Sequence, residues 1–220
     1  MVMNGKYIFE DESMCYFENM LLGMGFKRIA GIDEAGRGAL AGPVVAACVI
    51  LDPEKIPPGI NDSKKLSPER RRFLFDKIFI SARALGIGIV GPEIIDRVNI
   101  LNATRMAMKH AFLNMGMKPD FLLIDAVKLY DISISSISIN KGDERSVSVA
   151  AASIIAKVYR DDLMARLSRS YPEYGFCANK GYGTFFHLNA LERYGPTEVH
   201  RLSFNPVQEM QGRWKLKEHP

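Results

Sequence analysis

Four acidic residues stand where a strand-forming run ends or a turn begins, and their chemistry is that of a metal site: Asp33, Glu34, Asp125 and Asp143. Asp33 and Asp125 each end a run expected in the middle of a sheet, where a carboxylate is costly to bury. Brought together, such groups repel one another unless a cation neutralises them. Clustered carboxylate oxygens suit a hard divalent ion, Mg²⁺ or Mn²⁺. Two such ions about 3.5–4 Å apart would stabilise an in-line phosphoryl displacement.

A simpler interpretation competes with this one, because each acid taken singly is better explained as a cap or turn residue, and only the four together weigh equally for a site. Asp33 and Glu34 are also adjacent, so in a regular strand their side chains point to opposite faces. Both can serve one site only if the strand bends there, or if Glu34 contributes its backbone carbonyl.

A glycine-rich turn, Gly36-Arg37-Gly38, follows the first acidic pair. Glycine permits positive φ on both sides of the arginine, so the backbone could approach a ligand and present its amide N–H groups. The planar guanidinium of Arg37 would suit a phosphate. A plain hairpin turn with a solvated arginine is the alternative.

Three further side chains are candidates for phosphate contacts. Lys64 belongs to a loop with two ammonium groups and a hydroxyl, which is either a backbone-phosphate clamp or a solvated charge run. Ser153 and Lys157 are four residues apart and share a face of a predicted helix. Ser153 could equally hydrogen-bond back to its own helix, and Lys157 could extend its charge to solvent.

Aromatic and imidazole groups near the C-terminus complete the candidates. Tyr182 lies between two glycines, where it could stack on a sugar or base, or pack on its own domain. His187 and His200 have no metal-like spacing. A general base or transient metal partner is conceivable for either histidine, but the pattern favours a capping or surface role.

The elements that must position these groups form a mixed α/β arrangement. We predict strands at about 28–33, 44–51, 85–90, 121–125 and 132–139, the first two antiparallel because their connection is short. We predict a first helix that carries Met14 to Leu22 and is stopped by Gly23 or Gly25, and a second after Ser67 as cap with Pro68 in the first turn. Further helices are predicted at 92–98, 101–115, 146–168 and 187–194, and loop over 171–186. This order predicts a mixed sheet with helices packed on it and a small C-terminal helical part.

Composition excludes several classes of protein. The chain has 220 residues, 47% hydrophobic and 25% charged, which excludes a disordered or fibrous protein. The net charge of +4 is compatible with a polyanionic partner. Three widely spaced cysteines indicate reduced thiols and a cytoplasmic location, and no run is long and apolar enough to span a membrane.

Several motifs together resemble type 2 ribonuclease H, the bacterial ribonuclease HII. They occur in the family's order and span most of residues 28–205: GIDEAGRGALAGPVVAACVIL (31–51), DSKKL (62–66), NILNAT (99–104), LLIDAV (122–127), KGDERSVSVAAASIIAKVYRD (141–161) and YGFCANKGYGT (174–184). The resemblance divides the chain into an N-terminal helical extension (1–27), a ribonuclease H-like catalytic domain (28–205) and a tail (206–220). Its implied fold is a mixed five-stranded sheet flanked by helices.

The resemblance also implies roles at matching positions. The four acids would hold Mg²⁺ or Mn²⁺, two ions when substrate is bound. Gly36, Arg37 and Gly38 match the motif that senses the 2′-hydroxyl at an RNA–DNA junction, and Tyr182 matches the tyrosine that stacks on the following deoxyribose. Lys64, Ser153 and Lys157 lie in motifs that resemble phosphate contacts or support for the site.

The resulting hypothesis is an endoribonuclease that cuts the RNA strand of RNA–DNA hybrids and single ribonucleotides in duplex DNA, leaving 5′-phosphate and 3′-hydroxyl ends. Its partners would be those duplexes and no membrane, and it would act as a monomer. Residues 208–220 contain no clamp-binding pattern. The alternatives are a metal-dependent DNA nuclease or strand-transfer enzyme of the same fold, and a non-catalytic nucleic-acid-binding module.

Overall fold

A mixed five-stranded sheet positions the acidic residues. In the computed structural model, which describes residues 12–130 and 132–211, the strands are β1 (Ile29–Ala35), β2 (Val44–Ile50), β3 (Ala84–Val90), β4 (Phe121–Asp125) and β5 (Ser135–Ile139). Their order across the sheet is β3-β2-β1-β4-β5. β1 is antiparallel to β2 and parallel to β4, and β4 is parallel to β5. The predicted mixed sheet and the antiparallel β1–β2 pair are confirmed.

The helices that precede residue 195 in the described chain are α1 (Tyr16–Gly23), α2 (Pro68–Ser81), α3 (Pro92–Val98), α4 (Ile100–Leu113), α5 (Val147–Ser170), α6 (Phe176–Asn179) and α7 (Phe185–Tyr194). The predicted cap at α2 is confirmed, since the Ser67 side chain accepts a hydrogen bond from the backbone N–H of Arg70. Short 3₁₀ segments cover Glu12–Cys15, Gly142–Glu144 and Pro172–Tyr174.

Two predictions of secondary structure were wrong. β5 begins at Ser135 rather than 132, so the Ile/Ser alternation is strand only in its second half. The segment 171–186, predicted as loop, contains a 3₁₀ turn, α6 and the start of α7. Residues 207–211 are helical, where no pattern was recognised, and the rest of the predicted tail lies outside the described residues.

The described chain divides into two units. The first comprises residues through Ala35, Val45–Ile89 and Arg105–Val158, and the second comprises Gly36–Val44, Val90–Thr104 and the chain from Tyr159. In the first unit α5 approaches β1 so closely that a Cβ built on Gly31 would lie 2.1 Å from the carbonyl carbon of Ser148. Such contact requires glycine and fixes the helix that carries Ser153 against the strand that carries Asp33.

The core of the second unit is small and aromatic. Its buried apolar side chains come from chain segments that are remote in sequence: Leu40, Ala41, Met164, Tyr174, Phe176, Ala190, Leu191 and Val207. Two arginines, Arg160 and Arg201, are also fully buried in this unit.

Within the described residues, no helix is long and apolar enough to cross a membrane.

Candidate active site

Asp33 and Asp125 are neighbours because of the strand register. Ile32 of β1 pairs with Ile124 of β4 in parallel, so the next residues on both strands are Asp33 and Asp125 at the same carboxyl edge. Asp33 is 4% exposed. Burial raises its pKa well above the ordinary value, and the charges of Glu34 and Asp125 raise it further, against hydrogen bonds from Ser153 and the Glu34 backbone.

Asp143 is connected to this edge through the turn that precedes it. The backbone N–H of Gly142 donates to Asp125 Oδ1 at 2.7 Å. Asp143 itself is buried, and its Oδ2 accepts a hydrogen bond from Lys64 Nζ at 3.2 Å. The pKa of Lys64 is lowered by burial, but the hydrogen bond to Asp143 and the charges of Asp143, Asp62 and Asp33 raise it overall.

Ser153 lies inside the acidic cluster, since its hydrogen bond acts on Asp33. It is 4% exposed, and its Oγ is 3.0 Å from the Oγ of buried Ser63. This geometry favours support of Asp33 over direct contact with a phosphate. Lys157, one turn further along α5, is partly exposed.

The turn over residues 36–43, which we call the glycine turn, belongs to the second unit. Gly36 has φ +93°, and a Cβ there would lie 1.9 Å from Arg160 Nε. Of the two glycines that flank Arg37, only Gly36 uses the freedom to adopt positive φ, because Gly38 is not among the glycines with positive φ. Arg37 and Gly38 are exposed. Gly36 is therefore needed by the backbone, and Gly38 is not.

Two buried guanidinium groups hold this turn by its carbonyls. Arg201 donates to the carbonyl oxygens of Gly36 at 2.7 Å, Arg37 at 2.8 Å and Gly42 at 2.9 Å. Arg160 donates to those of Ala41, Pro43 and Lys180, at 3.1, 2.9 and 2.9 Å. Ten N–H donors in two planar forks suit an array of carbonyls that no single amide or ammonium could satisfy.

Tyr182 is 37% exposed, and the guanidinium carbon of Arg160 lies 5.6 Å from the centre of its ring. The prediction of a surface role for the histidines was wrong, because both His187 and His200 are buried. Their Nε2 atoms are 3.1 Å apart, and His187 Nδ1 is 3.0 Å from the carbonyl oxygen of Tyr182.

Comparison with known proteins decides the family. The ribonuclease HII family model matches residues 30–207, which is most of the chain.

The chain belongs to the ribonuclease HII family.

Relatives and solved structures agree with this assignment. Ribonuclease HII of Chlamydia trachomatis serovar A is 52% identical over 203 residues, covering 92% of each chain. The structure of ribonuclease H2 from Pyrococcus horikoshii matches with a TM-score of 0.73 at 26% identity, covering 86% of this chain and 99% of the other. A ribonuclease HII from Archaeoglobus fulgidus, solved in complex with PCNA, matches with a TM-score of 0.70 at 28% identity, covering 81% of this chain and 96% of the other.

The fold is therefore that of ribonuclease H. The chain is a divalent-metal-dependent hydrolase that cleaves the RNA strand of RNA–DNA hybrids.

The donor set has the chemistry of such a metal. It consists of oxygen atoms only, and the repulsion among Asp33, Glu34 and Asp125 is what a divalent cation would neutralise. In the part of the chain that the structure describes, no three acidic, His or Cys side chains are already arranged to hold an ion. Asp143 is instead engaged by Lys64. Binding a metal there would exchange this ion pair for coordination.

Two buried charged residues, Glu18 and Arg160, were not predicted from the sequence. Glu18 of α1 is fully buried, and its Oε1 accepts hydrogen bonds from Ser146 Oγ at 2.6 Å and the Ser148 backbone N–H at 3.0 Å. It thereby ties the N-terminal helix to the start of α5, just after Asp143. Its position, four residues after Met14 and three before Leu21 on the apolar face, was the available clue. For Arg160 the clue was its spacing: it lies four residues from Ala156 and four from Met164, so its charged side chain shares a helix face with apolar ones.

We predict that Mn²⁺ binding will strengthen as pH rises. The pKa of Asp33 is raised by burial and by its acidic neighbours, so a bound proton must leave before the carboxylate can coordinate. The apparent Kd should fall by up to about tenfold per pH unit while one proton is displaced. Calorimetry in buffers of different ionisation enthalpy would count the protons released. A pH-independent Kd with no proton release would contradict the prediction.

Proposed function

We propose that this enzyme cuts at single ribonucleotides embedded in duplex DNA as well as within longer RNA–DNA hybrids, by two-metal hydrolysis that leaves 5′-phosphate and 3′-hydroxyl ends. The observation that supports this most is the meeting of Asp33 and Asp125 at one sheet edge, with Asp143 tied to Asp125 through Gly142. Acids from three separate chain segments would not be gathered beside each other for packing, because their burial is costly.

In this proposal the four acids would hold the divalent ions, and those ions would supply activation of a water and stabilisation of charge on the phosphate. Asp33, Asp125 and Asp143 act through their side chains, and Glu34 through its side chain or its backbone carbonyl. Ser153 orients Asp33 by its hydrogen bond. Lys64 and Lys157 are the cations that would contact backbone phosphates.

The glycine turn and Tyr182 would provide the sugar selectivity. Arg37 and Gly38 are exposed, while the carbonyls of Gly36 and Arg37 are bound by Arg201. Arg201 thus holds the turn by these two carbonyls and leaves the exposed backbone at Gly38 available to a substrate. A 2′-hydroxyl both donates and accepts hydrogen bonds, so it could bind there. The partly exposed ring of Tyr182 would lie on the deoxyribose that follows the ribonucleotide.

Ion choice, assembly and location complete the proposal. Mg²⁺ and Mn²⁺ are both compatible with oxygen ligands, and we propose two ions when substrate is bound. We propose that the protein acts as a cytoplasmic monomer. The Archaeoglobus fulgidus ribonuclease HII forms a complex with PCNA. For this chain we propose none, because residues 208–220 lack a clamp-binding pattern.

The test is cleavage of three matched duplexes: one ribonucleotide in DNA, a long RNA–DNA hybrid, and all DNA. We expect metal-dependent cutting of the first two, cutting of the third at background, and loss of all cutting with chelator. Equal cutting of all three would favour a DNA nuclease or strand-transfer enzyme. Absence of cutting in any metal would favour a non-catalytic binding module.

Gly36 and Gly38 offer a matched pair for testing the sugar-sensing turn. Gly36→Ala should destabilise the protein by about 1–3 kcal/mol, because Cβ would meet Arg160 and the backbone has positive φ. Gly38→Ala should leave stability unchanged, since a Cβ there meets nothing among the described residues within 4 Å. It should nevertheless reduce cleavage at a single ribonucleotide by about tenfold, by keeping the sugar from the backbone.

Thermal melts and kcat/KM on the single-ribonucleotide duplex measure both effects. Gly91→Ala is the control for Gly38→Ala, because its added Cβ also meets nothing among the described residues. If Gly38→Ala cleaved this duplex as well as the control does, close backbone approach at Gly38 would be refuted.

A further inference from the structure

Two buried histidines in the second unit form a hydrogen-bonded chain that ends on the Tyr182 loop. His187 lies in the first turn of α7 and His200 in the segment that follows this helix, with exposures of 0% and 1%. The aromatic rings of Tyr174 and Phe176 pack against both imidazoles, with centroids 4.8–6.2 Å apart. Apolar packing alone would be served equally well by phenylalanine at either position.

The partners of the two imidazoles fix where every proton lies. At one end the backbone N–H of Thr197 donates to His200 Nδ1 at 3.0 Å, so this nitrogen must have its lone pair. The proton of His200 is therefore on Nε2, which donates to His187 Nε2 at 3.1 Å. His187 must then have its proton on Nδ1, which donates to the Tyr182 carbonyl at 3.0 Å. Since a backbone N–H and a carbonyl fix the two ends, neutral imidazoles have only this arrangement.

Additional protons are disfavoured in this chain. A proton on His200 Nδ1 would face the backbone N–H of Thr197, with only the Thr197 hydroxyl oxygen, 2.9 Å away, to accept it. A proton on His187 Nε2 would face the N–H of His200. Consistently, burial and the neighbouring His187 lower the pKa of His200 to about 4, and burial lowers that of His187. The chain is therefore directional and neutral at the pH of the cell.

The Tyr182 carbonyl is the point where this chain meets the loop. It accepts a second hydrogen bond from the backbone N–H of Thr184 at 2.8 Å, so both of its lone pairs are used. Thr184 is in turn the N-cap of α7, with its side chain accepting from the backbone of His187. The loop is thus fixed at its carbonyl, while the Tyr182 ring itself remains partly exposed.

We propose that His187 and His200 are positioning residues for sugar discrimination: they orient the peptide of Tyr182, and with it the ring, without touching substrate. This inference rests on the proposed role of Tyr182 at the deoxyribose. It assigns a specificity function to two buried residues. If their role were purely structural, replacing them would not change the preference for one substrate over another.

Two substitutions of His187 separate positioning from packing. Asparagine retains an N–H donor at the place of Nδ1 but loses the ring, and phenylalanine retains the ring but cannot donate to Tyr182. The measured quantity is the ratio of kcat/KM on the single-ribonucleotide duplex to that on a long hybrid, taken well below the lowest melting temperature. We expect His187→Phe to lower the ratio roughly fivefold to tenfold, as expected for one lost hydrogen bond.

For His187→Asn we expect a ratio near that of the unaltered protein, whatever its stability. Hydrogen exchange of the Thr184 amide gives a readout besides activity, because this amide shares the Tyr182 carbonyl. It should exchange faster in His187→Phe than in His187→Asn. Equal ratios for His187→Phe and the unaltered protein would overturn the inference, as would ratios that merely follow stability in both variants.

A double-mutant cycle with Tyr182→Ala tests the coupling. If the histidines act through Tyr182, His187→Phe should have no further effect on the ratio once the ring is absent. Additive effects would overturn the inference. If Tyr182→Ala itself left the ratio unchanged, the proposed role of Tyr182 would fail first, and that result is distinct from a failure of the histidine chain alone.

Discussion

Replacement of Asp33 by asparagine should abolish cleavage and at the same time stabilise the metal-free protein. A metal ligand stabilises the transition state by several kcal/mol, so its removal should slow cleavage by at least about 10³-fold. Burial and the charges of Glu34 and Asp125 raise the pKa of Asp33 well above its ordinary value. The folded state therefore loses stability as pH rises through that raised pKa, and asparagine removes this loss.

The measurement is thermal unfolding in chelator at about pH 5 and about pH 8. We expect Asp33→Asn to melt several degrees higher at the upper pH, for a gain on the order of 1–3 kcal/mol, and the gap to narrow at the lower pH. Added Mn²⁺ should stabilise the unaltered protein and not the variant, while hybrid binding persists in both. Asp76→Asn, on the exposed face of α2, is the control. A variant that still cleaves, or melts lower at both pH values, would contradict this assignment.

The parts of the site that could be predicted from sequence are those set by local patterns. Asp33 and Asp125 each end an apolar run, and parallel pairing of those runs brings their ends together. The cap at Ser67 and most helix bounds follow from residue types a few positions apart. In these cases the sequence neighbours of a residue are also its structural neighbours, so pattern and structure agree.

The parts that could not be predicted depend on partners remote in sequence. Arg201 binds carbonyls 159 to 165 positions upstream, and nothing near Arg201 in the sequence indicates them. His187 and His200 gain their roles from burial among aromatic rings rather than from their spacing. Gly36 and Gly38 are the same residue type two positions apart, yet only Gly36 has positive φ, because the surrounding turn decides the conformation.

Substitution of Arg201 by methionine should destabilise the protein strongly. Methionine fills similar space but leaves the carbonyls of Gly36, Arg37 and Gly42 without their buried donor. Of these, the bonds to the Gly36 and Gly42 carbonyls are buried, and loss of a buried donor costs about 1–3 kcal/mol for each, so a total loss of about 2 kcal/mol or more is expected. Chemical denaturation measures the loss. Because Gly36 and Arg37 belong to the proposed sensing turn, cleavage at a single ribonucleotide should fall more than cleavage of a long hybrid.

Arg169→Met is the matched control, since Arg169 is exposed on the last turn of α5 and should change stability by no more than about 0.5 kcal/mol. Arg201→Lys separates charge from geometry. An ammonium retains the positive charge but lacks the planar fork that serves several carbonyls at once. If lysine restored both stability and junction preference, charge alone would account for Arg201. If it restored neither, the fork geometry that holds the Gly36 and Arg37 carbonyls is what the turn requires.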